Sequence, residues 1–383
     1  MWQTGLDSPI EVLNNMELTV RKSDLLKELQ LFQGIIERKN TILILANVLI
    51  DATEDGTVGL TATDLEVGFK SQCDATVKKK GSLTLPAKKL YEIIRALPET
   101  DVKLALNAKG SVKISADQFN SRLQTLPVED FPSVPSSGSS TRVTLPREEM
   151  RLMVANTIFA ITGEDTRYFL NGALFVLKAD EMNLIATDGH RLALATTKRT
   201  GDEKEEIKAI LPKKLLTELS KLLSDGEDEI QYECGENHLF FYVDKREICS
   251  RLIEGQFPAY EKVIPTGNNK SIEFDRDRLT SAIKRVALLS NERSRAVKFQ
   301  LSENAVTVTS NSPEVGEADE TIDVDYKGEA LEICFNSQYI LEFLAGVATD
   351  SVALQLKDEM SQAVMQPVGA KNDYTYVIMP MRV

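Results

Sequence analysis

The feature that most constrains this chain is a helix pattern that occurs three times. Each of three segments opens with a residue typical of a helix start, and apolar residues follow at helical spacing. The segments are 86–93, 212–219 and 336–343, so their starts lie 126 and 124 residues apart. In the first two we expect Pro at the first helical position, and in the third we expect Asn as the cap. A repeated unit of roughly 125 residues fits three times into the 383 residues of the chain.

A second amphipathic helix and a strand end recur with nearly the same period. The strand ends are 61–64, 185–188 and 308–311, which lie 124 and 123 residues apart. Amphipathic helices often recur in mixed proteins by chance, but here both the order and the spacing repeat. The apolar residues of this helix are Leu25, Leu29 and Phe32, then Met150, Val154 and Ile158, then Leu279, Ile283 and Val286.

Short runs of alternating apolar and polar residues separate the helices, for example at 239–243 and 352–356. This alternation predicts antiparallel strands with one buried face, about eight in each repeat. Two helices that cover one face of an antiparallel sheet make an α+β architecture. The sequence therefore predicts three structurally similar domains, each with two helices packed on antiparallel sheets.

Two segments rich in turn-forming residues, 131–140 and 265–269, separate the repeats. They set the predicted boundaries of the domains. We expect an N-terminal extension at 1–15 and domains at 16–135, 141–265 and 270–383.

Residue usage disfavours several classes of enzyme and of metal protein. The chain has two histidines, and its four cysteines lie far apart without a CxxC pair. It contains neither a nucleotide-binding glycine loop nor a zinc-protease motif. We therefore predict no metal site and no cofactor, although the 58 Asp and Glu residues leave carboxylate-dependent catalysis open. No apolar stretch is long enough to cross a membrane and the N-terminus is not a secretory signal, so we expect a cytoplasmic protein.

The charge is unevenly distributed between helices and the rest of the chain. The net charge is −13, which taken alone argues against binding nucleic acid. The six helical segments with their turns nevertheless carry 20 basic and 14 acidic residues, whereas the remainder carries 25 and 44. If the helices of three modules share one surface, that surface could follow a phosphate backbone without reading sequence. The alternative is that these are ordinary solvated helix faces.

Several motifs resemble one family, the bacterial beta sliding clamps, which are the beta subunits and processivity factors of DNA polymerase III. The resemblance extends over 16–383. It implies a head-to-tail homodimer that closes into a ring, with helices lining a hole through which duplex DNA passes. The motifs are TDGHRLA at 187–193, YVIMPMRV at 376–383, RYFLNG at 167–172, SNE at 290–292 and SNSPE at 310–314.

The resemblance also implies a non-catalytic function. Polymerases and repair proteins, including the DNA polymerase III alpha subunit and the clamp loader, would bind through short peptides in an apolar cleft between the second and third domains. The protein would be cytoplasmic and associated with the nucleoid. The matching cleft positions are Leu170, Thr187, Gly189, His190, Arg191, Leu192, Pro258, Val263, Asn336, Tyr339, Val377, Met379, Pro380 and Met381.

Two further sets of residues are predicted. By resemblance, Lys39, Arg167, Tyr168, Lys213 and Lys214 face DNA, and charge and placement add Arg38, Arg293 and Arg295. The expected dimer interface joins the first domain of one chain to the third of another. Its residues are Phe119, Leu123, Leu288, Leu289, Glu314 and Glu317, and Ser121 stands where an aromatic residue is usual in the family.

Two other functions stay open at this point. One is a carboxylate-dependent enzyme with a site near Asp188 and His190, which would share a face if the strand extended through them. For these residues we favour a structural interpretation, in which Asp188-Gly189 forms a turn after a strand. The other is an open scaffold of three modules that binds proteins but never closes. The mass of the protein in solution distinguishes this scaffold from a ring.

Overall fold

The computed structural model describes residues 16–36, 42–107, 110–137, 142–201 and 205–382. The chain divides into two compact units. The first unit contains Met1–Arg142 and Asp225–Arg251, and the second contains Val143–Ser224 and Leu252–Val383. The second repeat of the sequence is therefore shared between the units.

Among the residues that the structure describes, each repeat contains two α-helices and eight strands, as the sequence predicts. The helices are α1 Lys22–Phe32, α2 Ala87–Ala96, α3 Arg147–Thr157, α4 Lys213–Leu222, α5 Arg276–Val286 and α6 Ser337–Gly346. The strands of the first repeat are β1 Glu17–Arg21, β2 Asn47–Ala52, β3 Thr57–Thr63, β4 Val67–Lys79, β5 Gly81–Pro86, β6 Asp101–Leu106, β7 Ser111–Ala116 and β8 Phe119–Gln124. Those of the second are β9 Val143–Pro146, β10 Gly172–Leu177, β11 Glu181–Thr187, β12 Arg191–Lys198, β13 Ile207–Pro212, β14 Glu229–Cys234, β15 His238–Val243 and β16 Arg246–Arg251. Those of the third are β17 Lys270–Asp275, β18 Ala296–Ser302, β19 Ala305–Ser312, β20 Gly316–Asp323, β21 Leu331–Asn336, β22 Ser351–Leu356, β23 Ala363–Pro367 and β24 Asp373–Ile378.

Antiparallel pairing connects strands of different repeats within each unit. In the first unit the sheet runs β8-β7-β6-β1-β4-β16-β15-β14, and β4 also pairs with β3, which continues to β2 and β5. In the second unit an eight-stranded sheet runs β13-β10-β11-β12-β24-β23-β22-β17, and a four-stranded sheet runs β20-β19-β18-β21. Thus β4 pairs with β16 across the first repeat boundary, and β12 pairs with β24 across the second.

The helices begin where the sequence indicates, with one correction. Asn336 caps α6 as predicted, because its side chain accepts a hydrogen bond of 2.9 Å from the Gln338 amide. Pro86 and Pro212 occupy the cap position and not the first helical position. Each proline is also the last residue of a strand, with extended backbone (ψ 105° and 144°), so the helix begins one residue later.

The helices pack through the predicted apolar stripe. Leu90 and Ile94 of α2 are fully buried, as are Leu215 and Leu219 of α4. Within their observed bounds the six helices carry 14 basic and 8 acidic residues, so the positive excess of the helices persists. None of the helices in the described ranges is long and apolar enough to cross a membrane.

The turns at the ends of β3 and β11 show the repeat at atomic detail. In the first, Asp64 accepts hydrogen bonds from the Glu66 and Val67 amides at 2.9 and 2.7 Å. In the second, Asp188 accepts from two amides in the same way. The residue after the aspartate has positive φ in both turns, +80° at Leu65 and +89° at Gly189. The repeats therefore share local backbone geometry as well as helix spacing.

A buried ion pair links α1 to β16 within the first unit. The Arg246 guanidinium donates two hydrogen bonds to the Glu28 carboxylate, at 2.7 and 2.9 Å. The two side chains are only 10% and 8% exposed. Because both charges are removed from water, loss of one partner leaves the other poorly compensated. Arg246 would keep only Asp244, whose carboxylate lies 3.8 Å from its Nη1.

We expect Glu28→Gln to lower the free energy of unfolding by about 3 kcal/mol, because it leaves the buried Arg246 guanidinium with only the more distant Asp244 carboxylate, 3.8 Å away. Urea denaturation followed by circular dichroism measures this change. Glu54→Gln is the matched control, since Glu54 pairs with Lys80 on the surface and its loss should not shift the transition. Equal behaviour of the two variants would contradict a stabilising role for the buried pair.

Candidate functional site

A pocket of about 260 Å³ lies in the second unit, where β11 ends, β12 begins and β24 ends. We call it the cleft pocket. Its remaining walls come from the short 3-10 turn Tyr168–Leu170 and from the segment 258–263. The lining residues are Arg167, Phe169, Leu170, Thr187, Gly189, Arg191, Leu192, Pro258, Tyr260, Val263, Val377 and Met379.

The floor of the cleft pocket is apolar and rigidly placed. Leu192 and Val377 lie opposite each other in the β12–β24 ladder, and both are 1% exposed. They belong to a buried cluster that includes Ile185 and Phe257. Met379 at the rim is 36% exposed and has a flexible side chain. The pocket can therefore accept apolar side chains of different shapes.

The turn between β11 and β12 forms one wall of this pocket. Asp188 Oδ1 accepts hydrogen bonds from the amides of His190 and Arg191, at 2.9 and 3.0 Å. Thr187 Oγ1 donates to the Arg191 carbonyl at 2.6 Å and accepts from the Gly189 amide at 3.1 Å. A turn at Asp188-Gly189 is what the sequence indicated. The positive φ of Gly189 suits a residue without a Cβ.

The alternative that places Asp188 and His190 on one face of an extended strand is wrong. Both lie in the turn, since β11 ends at Thr187 and β12 begins at Arg191. The second carboxylate oxygen of Asp188 accepts from Arg191 Nε at 3.0 Å. Because main-chain amides and a guanidinium engage both oxygens, Asp188 is poorly available to orient a catalytic imidazole.

Arg191 connects the pocket wall to α6 and to the short turn Ile158–Ala160 that follows α3. Its side chain is 8% exposed, and it hydrogen bonds to Glu342 of α6 and, at 2.7 Å, to the carbonyl of Phe159. Its guanidinium also lies over the ring of Tyr339, 4.2 Å from the centroid. Burial raises the pKa of Tyr339, so that ring stays neutral beside the charge. Arg191 therefore fixes the wall and presents little free charge to a ligand.

Arg167 covers the turn from the outside. It pairs with Asp165 at 2.8 Å, and the hydrogen bonds from Arg167 hold the pKa of that carboxyl at about 2. A Cβ added to Gly189 would stand 3.4 Å from Arg167 Nη1. Within the described ranges no cluster of three or more His, Cys, Asp or Glu side chains is placed to hold a metal ion.

Comparison with known proteins assigns the family. Models of the DNA polymerase III beta subunit match three successive parts of the chain: the N-terminal domain at 16–135, the central domain at 144–259 and the C-terminal domain at 261–382. The beta sliding clamp of Pseudomonas putida is 37% identical over 371 residues, which cover 96% of this chain and 100% of the relative. The chain belongs to the beta sliding clamp family. The Escherichia coli K12 clamp is 36% identical over 372 residues, with the same coverage.

Solved structures of sliding clamps share the fold. The clamp of Bartonella birtlesii bound to griselimycin has a TM-score of 0.91 and 34% identity. The Pseudomonas aeruginosa clamp bound to griselimycin has a TM-score of 0.90 and 34% identity. Each match covers 96% of this chain and 100% of the other.

The structure brings together nine of the fourteen predicted cleft residues around the cleft pocket. Five lie elsewhere. His190 is exposed in the turn, and its carbonyl accepts from the Met379 amide at 2.9 Å. Pro380 and Met381 line an adjoining cavity of about 150 Å³ that shares Met379. Tyr339 stacks behind Arg191, and Asn336 caps α6.

Sequence reasoning missed Phe169 and Tyr260 and assigned Arg167 only to DNA. Phe169 stands inside the quoted RYFLNG motif, and Tyr260 follows Pro258 by two positions. Proximity to assigned residues was therefore the available signal. Proximity in the sequence does not show whether each ring points into the pocket, because that depends on how the segments pack in the fold.

The predicted DNA-facing residues have different environments. Arg38 and Lys39 lie outside the described residues. Tyr168 is 73% exposed, and Arg293 and Arg295 are exposed as well. Lys214 is half-buried. Lys213 donates a hydrogen bond of 2.7 Å to the Ile161 carbonyl, and burial lowers its pKa, so its ammonium is already engaged within the protein.

The predicted interface residues lie at two sheet edges and in two turns. Phe119 and Leu123 are on β8, an edge strand of the first unit, and Phe119 is exposed. Glu317 is on β20, an edge strand of the second unit, and Glu314 is in the turn before it. Leu288, just after α5, is 77% exposed, whereas its neighbour Leu289 is half-buried.

We expect Gly189→Ala to lower the free energy of unfolding by roughly 1–2 kcal/mol, because an L-residue is strained at φ +89°. The added methyl group would meet Arg167 Nη1 only at contact distance, 3.4 Å, so the backbone strain accounts for the loss. Gly163→Ala is the matched control, since φ there is not positive and a Cβ meets no described atom within 4 Å. Thermal denaturation of both variants measures the difference, and equal transitions would contradict it.

Proposed function

We propose that this chain is a DNA sliding clamp: a homodimeric ring that encloses duplex DNA without reading its sequence and holds replication and repair proteins on it. The observation that carries the proposal is the succession of three beta-subunit domains across 16–382. We assign domains at 16–135, 141–265 and 270–383, with an extension at 1–15. In this proposal the protein is cytoplasmic and associated with the nucleoid.

The pattern of strand pairing supports closure by a second copy. β4 of the first repeat pairs with β16 of the second, and β12 of the second pairs with β24 of the third. The next pairing in this series would join β20 of the third repeat to β8 of a first repeat. Both are edge strands of their sheets. A head-to-tail partner would supply each missing strand and cover both edges.

Charge and apolar contact at these edges fit the same arrangement. The four acidic residues of β20 include Glu317 and Asp319, whereas the only charge on β8 is Arg122. Exposed Leu288 and Phe119 would be covered on association. Ser121 offers little apolar area, and its hydroxyl is buried without a hydrogen-bond partner among the described residues. We propose a ring interface held mainly by strand addition.

Weak, non-specific attraction suits a ring that must move along DNA. The positive excess of the helices would face the duplex, while the acidic remainder would repel nucleic acid. The predicted DNA-facing residues would attract the duplex through their combined positive charge, because two of them, Arg167 and Lys213, already have partners within the chain. The group within the described residues is Arg167, Tyr168, Lys213, Lys214, Arg293 and Arg295. Enclosure, and not affinity, would keep the protein on DNA.

The cleft pocket is the proposed docking site for partner peptides. Its apolar floor and methionine rim suit Leu or Phe side chains of several partners. We propose that the DNA polymerase III alpha subunit, the clamp loader, other polymerases and repair proteins compete for it. The chain itself would be non-catalytic and free of cofactors, and the clamp loader would consume the ATP.

The first test of enclosure is retention on circular DNA. We expect the protein, loaded by its clamp loader on a nicked plasmid, to stay bound through gel filtration and to be lost once the plasmid is cut. Dissociation from both forms at the same rate would contradict a closed ring. Retention on both forms would indicate conventional surface binding instead.

A second test concerns the cleft pocket. We expect Met379→Ala combined with Val263→Ala to weaken binding of a fluorescent peptide from the cognate polymerase at least about tenfold, through lost apolar contact. Fluorescence anisotropy measures the affinity. Leu65→Ala removes an exposed leucine in the first unit and serves as the control. Unchanged affinity in the double variant would place the peptide site elsewhere.

A third test concerns the ring interface. We expect Leu288→Asp to raise the dimer dissociation constant about 30-fold or more, because it buries a charge at an apolar contact. Sedimentation equilibrium measures it, and the fold should persist since Leu288 is 77% exposed. Leu65→Asp is the control on an exposed leucine outside the interface. A wild-type protein that is monomeric at micromolar concentration would favour the open scaffold.

A further inference from the structure

The pairing of β4 with β16 in the first unit corresponds to the ladder that forms the floor of the cleft pocket. Leu192 is the second residue of β12 and pairs directly with Val377. Gly68 is likewise the second residue of β4, and it pairs directly with Cys249. Each of the two strands follows one of the two turns that share the same geometry. The first unit therefore has a counterpart of the pocket floor, in which a glycine replaces the leucine.

The segment between the first and second repeats fills this counterpart. A Cβ added to Gly68 would stand 2.5 Å from Cγ1 of Val134 and 2.8 Å from Sγ of Cys249. The φ angle of Gly68 is not in the left-handed region, so the glycine provides space and is not required by the backbone conformation. Val134 therefore takes the volume that a side chain at position 68 would need, and Cys249 is only 2% exposed.

Polar contacts hold the residues that follow Val134 in the chain. Lys70 lies two positions after Gly68, so its side chain leaves the same face of β4. Its Nζ donates a hydrogen bond of 3.1 Å to the Pro135 carbonyl. The Ser137 hydroxyl lies 2.8 and 2.6 Å from the two carboxylate oxygens of Glu233 and donates to this carboxylate. We call residues 131–137 the strap.

The strap crosses four strands on one face of the sheet. The register pairs Gly68 with Cys249, Cys249 with Phe240, and Phe240 with Glu233. Residues directly opposite each other in antiparallel strands share a face, so these four side-chain positions form one row across β4, β16, β15 and β14. Val134 contacts the first position of the row, and Ser137 binds the last, where Glu233 is 1% exposed. The strap therefore covers the boundary between the first and second repeats.

The second unit contains a related segment that leaves its pocket open. Phe-Pro begins the strap at 131–132 and recurs at 257–258, so that Val134 corresponds to Tyr260. Pro258 and Tyr260 line the cleft pocket, and the side chain of Leu192 provides the floor beneath them. The related segment thus forms a wall in the second unit, whereas the strap reaches the ladder itself in the first.

We propose that the first unit contains a second docking recess, formed over Gly68 and Cys249, and that the strap is its resident ligand. The ligand is a proline-flanked segment whose apolar anchor is Val134. This inference rests on the proposed docking role of the cleft pocket. Because the chain occupies the second recess itself, each chain offers its partners one docking site although the repeats provide two floors.

The first test releases the strap and measures the accessibility of the thiol beneath it. We expect Val134→Gly combined with Ser137→Ala to raise the rate of Cys249 alkylation by iodoacetamide about tenfold or more, in the folded full-length protein. Burial raises the pKa of the Cys249 thiol to about 11, so exposure also increases its thiolate fraction. Mass spectrometry follows each cysteine separately. Cys73, a buried thiol farther along β4, is the internal control and should react at the wild-type rate.

A second variant keeps the test valid if the first fails to fold. Gly68→Ala should expel Val134 by steric overlap and raise alkylation of Cys249 in the same way. Gly59→Ala on β3 is its matched control, since an added Cβ there meets no described atom closer than 3.8 Å. Unchanged alkylation of Cys249 in the folded variants, or an equal rise at Cys73, would overturn the proposal.

The recess itself is tested with the strap sequence added as a free peptide. We expect the blocked peptide FPSVPSS, at millimolar concentration, to slow alkylation of Cys249 in the Val134→Gly, Ser137→Ala variant about threefold or more, since it competes only with a weakened tethered segment. The peptide FPSGPSS lacks the anchor and should not protect, and neither peptide should protect Gly68→Ala. Absence of protection by FPSVPSS would show that the strap is merely packed there and would overturn the docking recess.

Binding of the polymerase peptide to the wild-type protein separates this proposal from the proposed function. Isothermal titration calorimetry should give one peptide per chain, and two per chain would overturn the self-occupied recess. Loss of all peptide binding would instead count against the docking role of the cleft pocket, and the second recess, which rests on that role, would fall with it. The alkylation results distinguish the two failures, because they depend on residues of the first unit alone.

Discussion

The antiparallel pairing of β12 with β24 is the interaction on which the second unit depends. It joins strands from two sequence repeats, so the eight-stranded sheet crosses a repeat boundary without interruption. Leu192 and Val377 face each other on this ladder and form the floor of the cleft pocket. Because the ladder fixes both strands along their whole length, it also sets the width of the pocket. A loop-built pocket of the same composition would be less precisely shaped.

Polar interactions around this ladder hold the walls and leave the floor apolar. The side chain of Arg191, the first residue of β12, donates hydrogen bonds to Asp188, Glu342 and the Phe159 carbonyl. Burial of that charge is tolerated because each donor has an acceptor and an aromatic ring stacks on the guanidinium. The result is a rigid, mostly uncharged recess. In the proposed docking role, such a recess would select partners by shape and apolar contact, so that several ligands could share one site.

The sequence predicted most of the fold, because period and alternation are local properties. The helix stripes, the eight strands of each repeat and the Asp188-Gly189 turn all follow from residues close together in the chain. Features that depend on contacts between residues far apart in the sequence could not be predicted. Phe169 and Tyr260 enter the pocket only because of how their segments pack, and Lys213 is engaged by a carbonyl more than fifty residues away in the chain. The position of Pro86 at a cap was missed because the strand before it extends through the proline.

The sharing of the second repeat between the two units affects how the chain acquires its structure during synthesis. β4 ends at Lys79, but its neighbour β16 is not complete until Arg251. More than 160 residues, including α3 and α4, must leave the ribosome before the first sheet gains its remaining strands. Until then one edge of β4 stays open to incorrect pairing. The first unit therefore cannot be completed before more than half of the chain has been synthesised, and the order of synthesis delays closure of the sheet that begins first.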